Sequence, residues 1–122
     1  MSAHILTVDD SASVRMTTKI ALTNAGYRVT EAVDGLDGLN KAKADNYDLI
    51  VTDLNMPNMN GLQMIEALRQ SPAHMGVPII FLTTESDADM KNRAKAAGAT
   101  GWITKPFDPE SLVKIARKVL GK

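Results

Sequence analysis

The sequence contains no cysteine among its 122 residues, which excludes disulfides, thiolate metal sites and cysteine nucleophiles. Neither charge is in excess, since 14 Lys and Arg residues balance 14 Asp and Glu residues, and this argues against a basic nucleic-acid-binding module. No apolar run approaches the ~20 residues that a membrane span needs, and the N-terminus lacks the pattern of a secretory signal. We therefore expect a single cytoplasmic domain over residues 1–122.

Short apolar runs alternate five times with amphipathic stretches. The runs over 5–8, 49–51 and 77–82 are nearly continuous and rich in β-branched residues, as is typical of strands buried on both faces of a parallel sheet. The segment 27–30 alternates as an edge strand would, and 101–104 is the shortest candidate. Because the stretches between these runs have helical spacing and the connections are short, the sequence predicts an α/β fold with helices on both faces of the sheet.

Some of the predicted helices have recognisable ends. Asp108 is the expected N-cap of the last helix, with Pro109 in its first turn, and Gly26 is expected to end the first helix. The apolar face of the first helix is predicted to comprise Val14, Thr17, Ala21 and Ala25.

Polar side chains follow four of the five predicted strands at the point where each strand ends. Asp9 and Asp10 follow the first strand, Asp53 the third, Thr83 the fourth and Lys105 the fifth. Ligands of such folds bind beyond the carboxyl ends of the strands, so these groups are expected to form one site. Three carboxylates repel one another unless a cation lies between them, and an all-oxygen ligand set selects Mg²⁺, with Mn²⁺ as the alternative.

The same groups suit phosphoryl transfer. An Asp can act as the nucleophile and form an acyl phosphate. A metal ion and Lys105 would neutralise the phosphoryl oxygens, and Thr83 would donate a hydrogen bond to one of them.

These residues resemble the receiver domain of bacterial response regulators, and specifically the stand-alone chemotaxis type. The resemblance extends over residues 5–120 and implies a flavodoxin-like sheet of order 2-1-3-4-5, which is the order known for chemotaxis receivers. The motifs that carry it are Asp9-Asp10, the segment Val51-Thr52-Asp53-Leu54-Asn55-Met56-Pro57, Thr83-Thr84 and Lys105-Pro106-Phe107.

The resemblance implies a role for each residue of the site. Asp53 is the phosphoacceptor. Asp10 and Asp53 bind Mg²⁺ through their side chains, Asn55 binds it through its backbone carbonyl, and Asp9 binds it through water. Lys105 contacts the phosphoryl group.

Further residues are implied to control the switch and the lifetime of the phosphoryl group. Thr83 moves toward the phosphoryl group, and Trp102 takes the place of the family's switch aromatic. Asn55, Thr84 and Glu85 tune the phosphoryl lifetime. The peptide bond between Lys105 and Pro106 matches one that is cis in the family.

The expected partners also follow from the resemblance. A histidine kinase would be the phosphodonor, a phosphatase would be a further partner, and the chain would be a monomer without an effector domain. The output surface would comprise the fourth helix, fifth strand and fifth helix, including Lys91, Lys95, Trp102, Lys114 and Lys118.

Several functions remain open at this point. Within the receiver interpretation, a chemotaxis messenger that binds the flagellar switch competes with a phosphate sink or regulator in a non-flagellar histidine-kinase pathway. A phosphatase of the haloacid dehalogenase type also uses a nucleophilic Asp and Mg²⁺, but it needs a second Asp where this chain has Asn55. As a receiver, the chain would catalyse only its own phosphorylation and dephosphorylation.

Overall fold

The structure is a computed structural model that describes residues 3–53, 59, 61–70, 76–83, 88–105 and 107–121, with the backbone alone for 88–91. Within these residues, no helix is both long enough and apolar enough to cross a membrane. The elements in chain order are β1 (His4–Val8), α1 (Ala12–Asn24), β2 (Arg28–Ala32), α2 (Gly35–Ala44), β3 (Leu49–Asp53), α3 (Gly61–Arg69), β4 (Ile79–Thr83), α4 (Ala88–Ala96), β5 (Gly101–Thr104) and α5 (Pro109–Leu120).

The strands form a sheet of order β2-β1-β3-β4-β5, and every neighbouring pair is parallel. This confirms the predicted α/β fold and its 2-1-3-4-5 order. The continuous apolar runs form the three central strands, where β3 and β4 are buried along their whole length. The edge strands β2 and β5 are mostly half-exposed, as their shorter or alternating patterns predict.

The core lies in two layers, one on each face of the sheet, because alternate strand residues point to opposite faces. On one face the strands pack against α1 and α5, through buried residues such as Leu22 and Leu112. On the other face they pack against α2, α3 and α4, through residues such as Leu39, Ile65 and Ala94. The described helices therefore cover the two faces of the sheet, and Asp53 and Thr83 lie at the carboxyl ends of its strands β3 and β4.

The helix boundaries of α5 agree with its sequence pattern. The Asp108 carboxylate accepts a hydrogen bond from the Glu110 N–H, and Pro109 is the first helical residue, where its missing N–H costs nothing. Gly121 ends the helix in the left-handed region with φ 73°.

The predicted buried face of α1 was wrong at one residue, Thr17, whereas Val14 and Ala25 pack half-buried against the core as predicted. The structure buries Thr18 and Leu22 and leaves Thr17 exposed. Leu22 is the larger apolar residue, and Thr18 can accompany it because its hydroxyl donates to the Val14 carbonyl at 2.8 Å. The satisfied hydroxyl removes the cost that burial of a polar group would otherwise carry.

Candidate functional site

The turn between β1 and α1 presents two carboxylates with different environments. Asp9 is only 2% exposed, whereas Asp10 is exposed. The Asp9 Oδ1 atom accepts the Ser11 N–H at 2.9 Å, and the Asp9 N–H donates to the Ala32 carbonyl at 3.1 Å. Ser11 in turn caps α1 by accepting a hydrogen bond from the Val14 N–H. The turn is thus fixed to both the helix and the neighbouring strand.

The Lys105 side chain forms ion pairs with carboxylates at the carboxyl ends of β1 and β3. Its Nζ atom lies 3.1 Å from Asp9 Oδ2 and 3.2 Å from Asp53 Oδ2. Asp53 is the last residue of β3 and is buried, and the Lys105 side chain is mostly buried as well. These contacts confirm the prediction that Asp9, Asp53 and Lys105 lie close together at the strand ends.

The acidic cluster has the composition and dimensions that a divalent cation needs. Within the described part of the chain, carboxylate oxygens of Asp9, Asp10 and Asp53 all lie within 4.8 Å of one another. Two Mg–O bonds of about 2.1 Å span up to about 4.2 Å, so small side-chain movements or one bridging water would bring these oxygens around one ion. Lys105 contributes one positive charge against three carboxylates. The residues present therefore fit Mg²⁺.

Lys105 is held in its charged form by the cluster. Burial of the ammonium by itself lowers the pKa of Lys105, but the hydrogen bonds to Asp9 and Asp53 and the charges of both carboxylates outweigh that effect. The net result is a pKa above the usual value for lysine. The side chain is consequently a permanent cation at this position.

The strands β4 and β5 carry the two predicted switch residues, Thr83 at the carboxyl end of β4 and Trp102 near the start of β5. Thr83 is buried at the end of β4, and its carbonyl accepts the Lys105 N–H at 2.8 Å. Trp102 pairs in register with Phe81 and packs, half-buried, against the α2–α3–α4 layer of the core. Thr83 pairs with Thr104, which lies two positions after Trp102 in β5.

Gly61 supports the site in a way that the sequence analysis did not identify. A Cβ atom at this position would overlap the Asp53 carbonyl oxygen and would lie 3.0 Å from Phe81 Cε1. Only glycine therefore allows α3 to begin directly against the backbone of Asp53. A glycine at the first residue of a predicted helix, a few residues after a strand-end Asp, is the pattern that indicates such a close approach.

Arg15 is a second residue that the sequence analysis missed. Its Nη1 atom donates to the Asp9 carbonyl at 2.6 Å. Arg15 lies four residues after the cap Ser11, which places both on one side of the first helical turn beside the acidic pair. That spacing was the available signal.

Some predicted site residues lie outside the described residues. These are Asn55, Thr84, Glu85 and Pro106, and their implied roles stay predictions. The output-surface lysines that the structure describes with side chains, Lys95, Lys114 and Lys118, are exposed.

The response regulator receiver domain family matches residues 5–117. The chain belongs to this family. Receiver domains of two-component systems take phosphoryl groups from histidine kinases and bind Mg²⁺ at an acidic site, and this receiver carries the corresponding cluster of Asp9, Asp10 and Asp53.

This receiver is similar to curated response regulators. It is 39% identical to the response regulator ArlR of Staphylococcus aureus over 117 residues, which are 96% of this chain and 52% of that protein. The chain thus spans about half the length of the curated relatives it matches.

Solved structures share the fold over nearly the whole chain. The chemotaxis response regulator CheY4 of Vibrio cholerae is 43% identical with a TM-score of 0.93, covering 98% of this chain and 99% of that one. The receiver domain of sensor histidine kinase PA1611 from Pseudomonas aeruginosa is 28% identical with a TM-score of 0.91 and complete coverage of both chains (100% each). That structure has a magnesium ion coordinated in its active-site cleft.

Proposed function

We propose that the receiver accepts one phosphoryl group from a histidine kinase on Asp53, with Mg²⁺ held by the neighbouring carboxylates. The observation that carries this proposal is the convergence of Asp9, Asp10 and Asp53 within 4.8 Å, with Lys105 at 3.1–3.2 Å from two of them. The Mg²⁺-bound receiver of PA1611 supports the choice of metal.

The chain's own groups then have defined tasks. The Asp53 carboxylate oxygen attacks the phosphorus of the donor phosphohistidine, so that a P–O bond forms while the P–N bond breaks. The electron pair of the broken bond stays with the imidazole nitrogen. A bound Mg²⁺ would offset the negative charge of the phosphoryl oxygens.

Lys105 and Thr83 would donate hydrogen bonds to the phosphoryl group on Asp53. The Lys105 ammonium already contacts Asp53, so a short movement would let it donate to a phosphoryl oxygen on that side chain. The Thr83 hydroxyl, at the end of the adjoining strand, would donate to another. A movement of the Thr83 side chain toward the phosphoryl group would alter the packing around Trp102, which lies in the neighbouring strand and packs against the α2–α3–α4 layer.

Phosphorylation of the intact chain by a small acyl phosphate in the presence of Mg²⁺ tests the acceptor. We expect intact-mass spectrometry to show the gain of one phosphoryl group, which hydroxylamine removes because an acyl phosphate is the product. Asp53→Asn should abolish the gain. The matched control is Asp45→Asn, which changes an exposed carboxylate at the end of α2 and should leave labelling intact. Equal labelling of the Asp53→Asn variant would refute the assignment.

We further propose a chemotaxis output, in which the surface of α4, β5 and α5 binds the flagellar switch after phosphorylation. The similarity to CheY4 of Vibrio cholerae supports this output. The similarity to ArlR supports the second candidate, which is regulation or phosphate storage in a non-flagellar histidine-kinase pathway. Fluorescence anisotropy of a flagellar switch peptide separates the two. Tighter binding to the phosphorylated chain favours chemotaxis, and equal or absent binding favours the second candidate.

A further inference from the structure

Arg15 connects three elements around the acidic turn. It lies in α1, and its Nη1 atom donates to the carbonyl of Asp9, the residue that follows β1, at 2.6 Å. Its Nε atom lies 3.9 Å from Glu31 Oε1 in β2. The side chain is 18% exposed, so the guanidinium is largely enclosed.

The carbonyl that Arg15 binds belongs to the peptide unit between Asp9 and Asp10. Because a peptide unit is planar, fixing its carbonyl also fixes the direction in which the chain leaves toward the Cα atom of Asp10. On the other side of Asp9, its N–H is already held by the Ala32 carbonyl at 3.1 Å. The two hydrogen bonds together fix the backbone on both sides of Asp9, and hence the relative placement of the two carboxylates.

Among the described residues the Glu31 carboxylate is paired with two cations, which differ in what else they touch. Arg15 lies between Glu31 and the Asp9 carbonyl, whereas Lys19, with its Nζ atom 3.6 Å from Glu31, is 52% exposed. The planar guanidinium has several donors in a fixed geometry, so it can face a carboxylate and a carbonyl at once. An ammonium at the end of a flexible stem lacks that geometry.

We propose that Arg15 is a positioning residue of the metal site: it holds the Asp9–Asp10 peptide so that both carboxylates face the same cation, and Glu31 orients it. This inference rests on the proposed function, since it concerns the cation of that same site. Arg15 itself contacts no phosphoryl group or metal ion in this role.

The direction in which Mg²⁺ affinity changes when Arg15 is replaced distinguishes a positioning role from a purely electrostatic one. A cation close to a metal site repels the metal ion, so removal of the Arg15 charge alone would tighten Mg²⁺ binding. Loss of a group that orients metal ligands weakens binding, typically by about 10- to 100-fold. We expect the low end of that range, about tenfold, because Arg15 acts through the backbone.

Isothermal titration of the intact chain with Mg²⁺ tests the proposal. Arg15→Met should weaken binding about tenfold, and the loss should persist at about 0.5 M KCl, where through-space charge effects are screened. Lys19→Met is the matched control, because it removes a cation from the same Glu31 without touching Asp9, and it should change the affinity less than twofold. Thermal unfolding in EDTA shows that each variant is folded.

Arg15→Lys decides the matter if Arg15→Met does not fold. It keeps the charge but loses the fixed geometry, so we expect Mg²⁺ binding several-fold weaker than that of the unsubstituted chain. An unchanged or higher affinity in Arg15→Met, or in Arg15→Lys if it alone folds, would overturn the positioning role while leaving the proposed function intact. Absence of Mg²⁺ binding by the unsubstituted chain would refute the proposed function and this inference with it.

Discussion

Lys105 contacts the same carboxylates that would bind a metal ion, so its removal should destabilise the chain less in the presence of Mg²⁺ than in its absence. Lys105→Met removes the ammonium and keeps most of the apolar stem. In the folded chain that ammonium lies 3.1 Å from Asp9 and 3.2 Å from Asp53. The substitution therefore leaves two buried carboxylates without their shared cation.

The expected loss of stability without metal can be worked from these distances. At an effective dielectric constant near 20, each ion pair at this separation has a gross attraction of about 5 kcal/mol. Desolvation of the ammonium and carboxylates offsets most of it, and removing one partner of a buried pair typically costs about 3 kcal/mol. For a chain of this size, about 4 °C in Tm corresponds to 1 kcal/mol, so Tm should fall by about 12 °C in EDTA.

Saturating Mg²⁺ should reduce this loss. A bound Mg²⁺ ion would be coordinated by the same carboxylate oxygens that accept hydrogen bonds from Lys105 in the unsubstituted chain. Each such charge-assisted hydrogen bond contributes about 1.5–3 kcal/mol. Without the Lys105 ammonium, Mg²⁺ should bind about tenfold more tightly, which equals about 1.4 kcal/mol. The Tm difference between the variant and the unsubstituted chain should accordingly shrink by about 6 °C.

Circular-dichroism melting curves in EDTA and in excess Mg²⁺, together with calorimetric Mg²⁺ titrations, measure both effects. Lys114→Met is the matched control, since Lys114 is exposed on α5 and away from the acidic cluster. The same Tm loss in EDTA and in Mg²⁺, or a loss no larger than that of the control, would refute the reasoning. Weaker Mg²⁺ binding by Lys105→Met would also refute it.

Two further substitutions test other parts of the site. Asp10→Asn removes a like-charge repulsion of about 1 kcal/mol from the carboxylates of Asp9 and Asp53, whose oxygens lie within 4.8 Å of that of Asp10. The Tm in EDTA should therefore rise by a few degrees, while the affinity for Mg²⁺ falls. A lower Tm in EDTA would contradict this account. Gly61→Ala places a Cβ atom against the Asp53 carbonyl and should cost about 1–3 kcal/mol in urea unfolding, with slower phosphorylation. Gly76→Ala, where an added Cβ meets nothing within 4 Å, is its control, and equal effects at the two glycines would exclude the close approach as the cause.

Much of the fold could be predicted because its signals are local. The central strands consist of continuous apolar runs, and their residues are buried on both faces of the sheet. The ends of α5 follow from Asp108, Pro109 and Gly121, which interact with their own helix and need no distant partner. The predicted strand segments are all strands in the structure, with ends shifted by at most two residues.

The burial of Thr18 in place of Thr17 on α1 could not be predicted from the sequence pattern. Small and β-branched residues on several sides of this helix give no clear apolar face, and the burial of Thr18 depends on a hydroxyl that bonds within the helix. Packing against the sheet and α5 decided which of the two threonines faces the core. The spacing of apolar residues does not predict which side of a helix is buried when the sides differ little in hydrophobicity.

Local sequence patterns are enough to predict which chemical groups lie at the carboxyl ends of the strands, because strand ends follow from such patterns and parallel topology brings them to one edge. The burial and the contacts of each group depend on tertiary packing. In the folded chain Asp9 is buried and Asp10 is exposed. Lys105 forms ion pairs with both Asp9 and Asp53, and Arg15 donates a hydrogen bond to the Asp9 carbonyl. The Lys105 contacts depend on distances of about 3 Å between residues far apart in the chain, and such distances are set by the packing of the helices on the sheet.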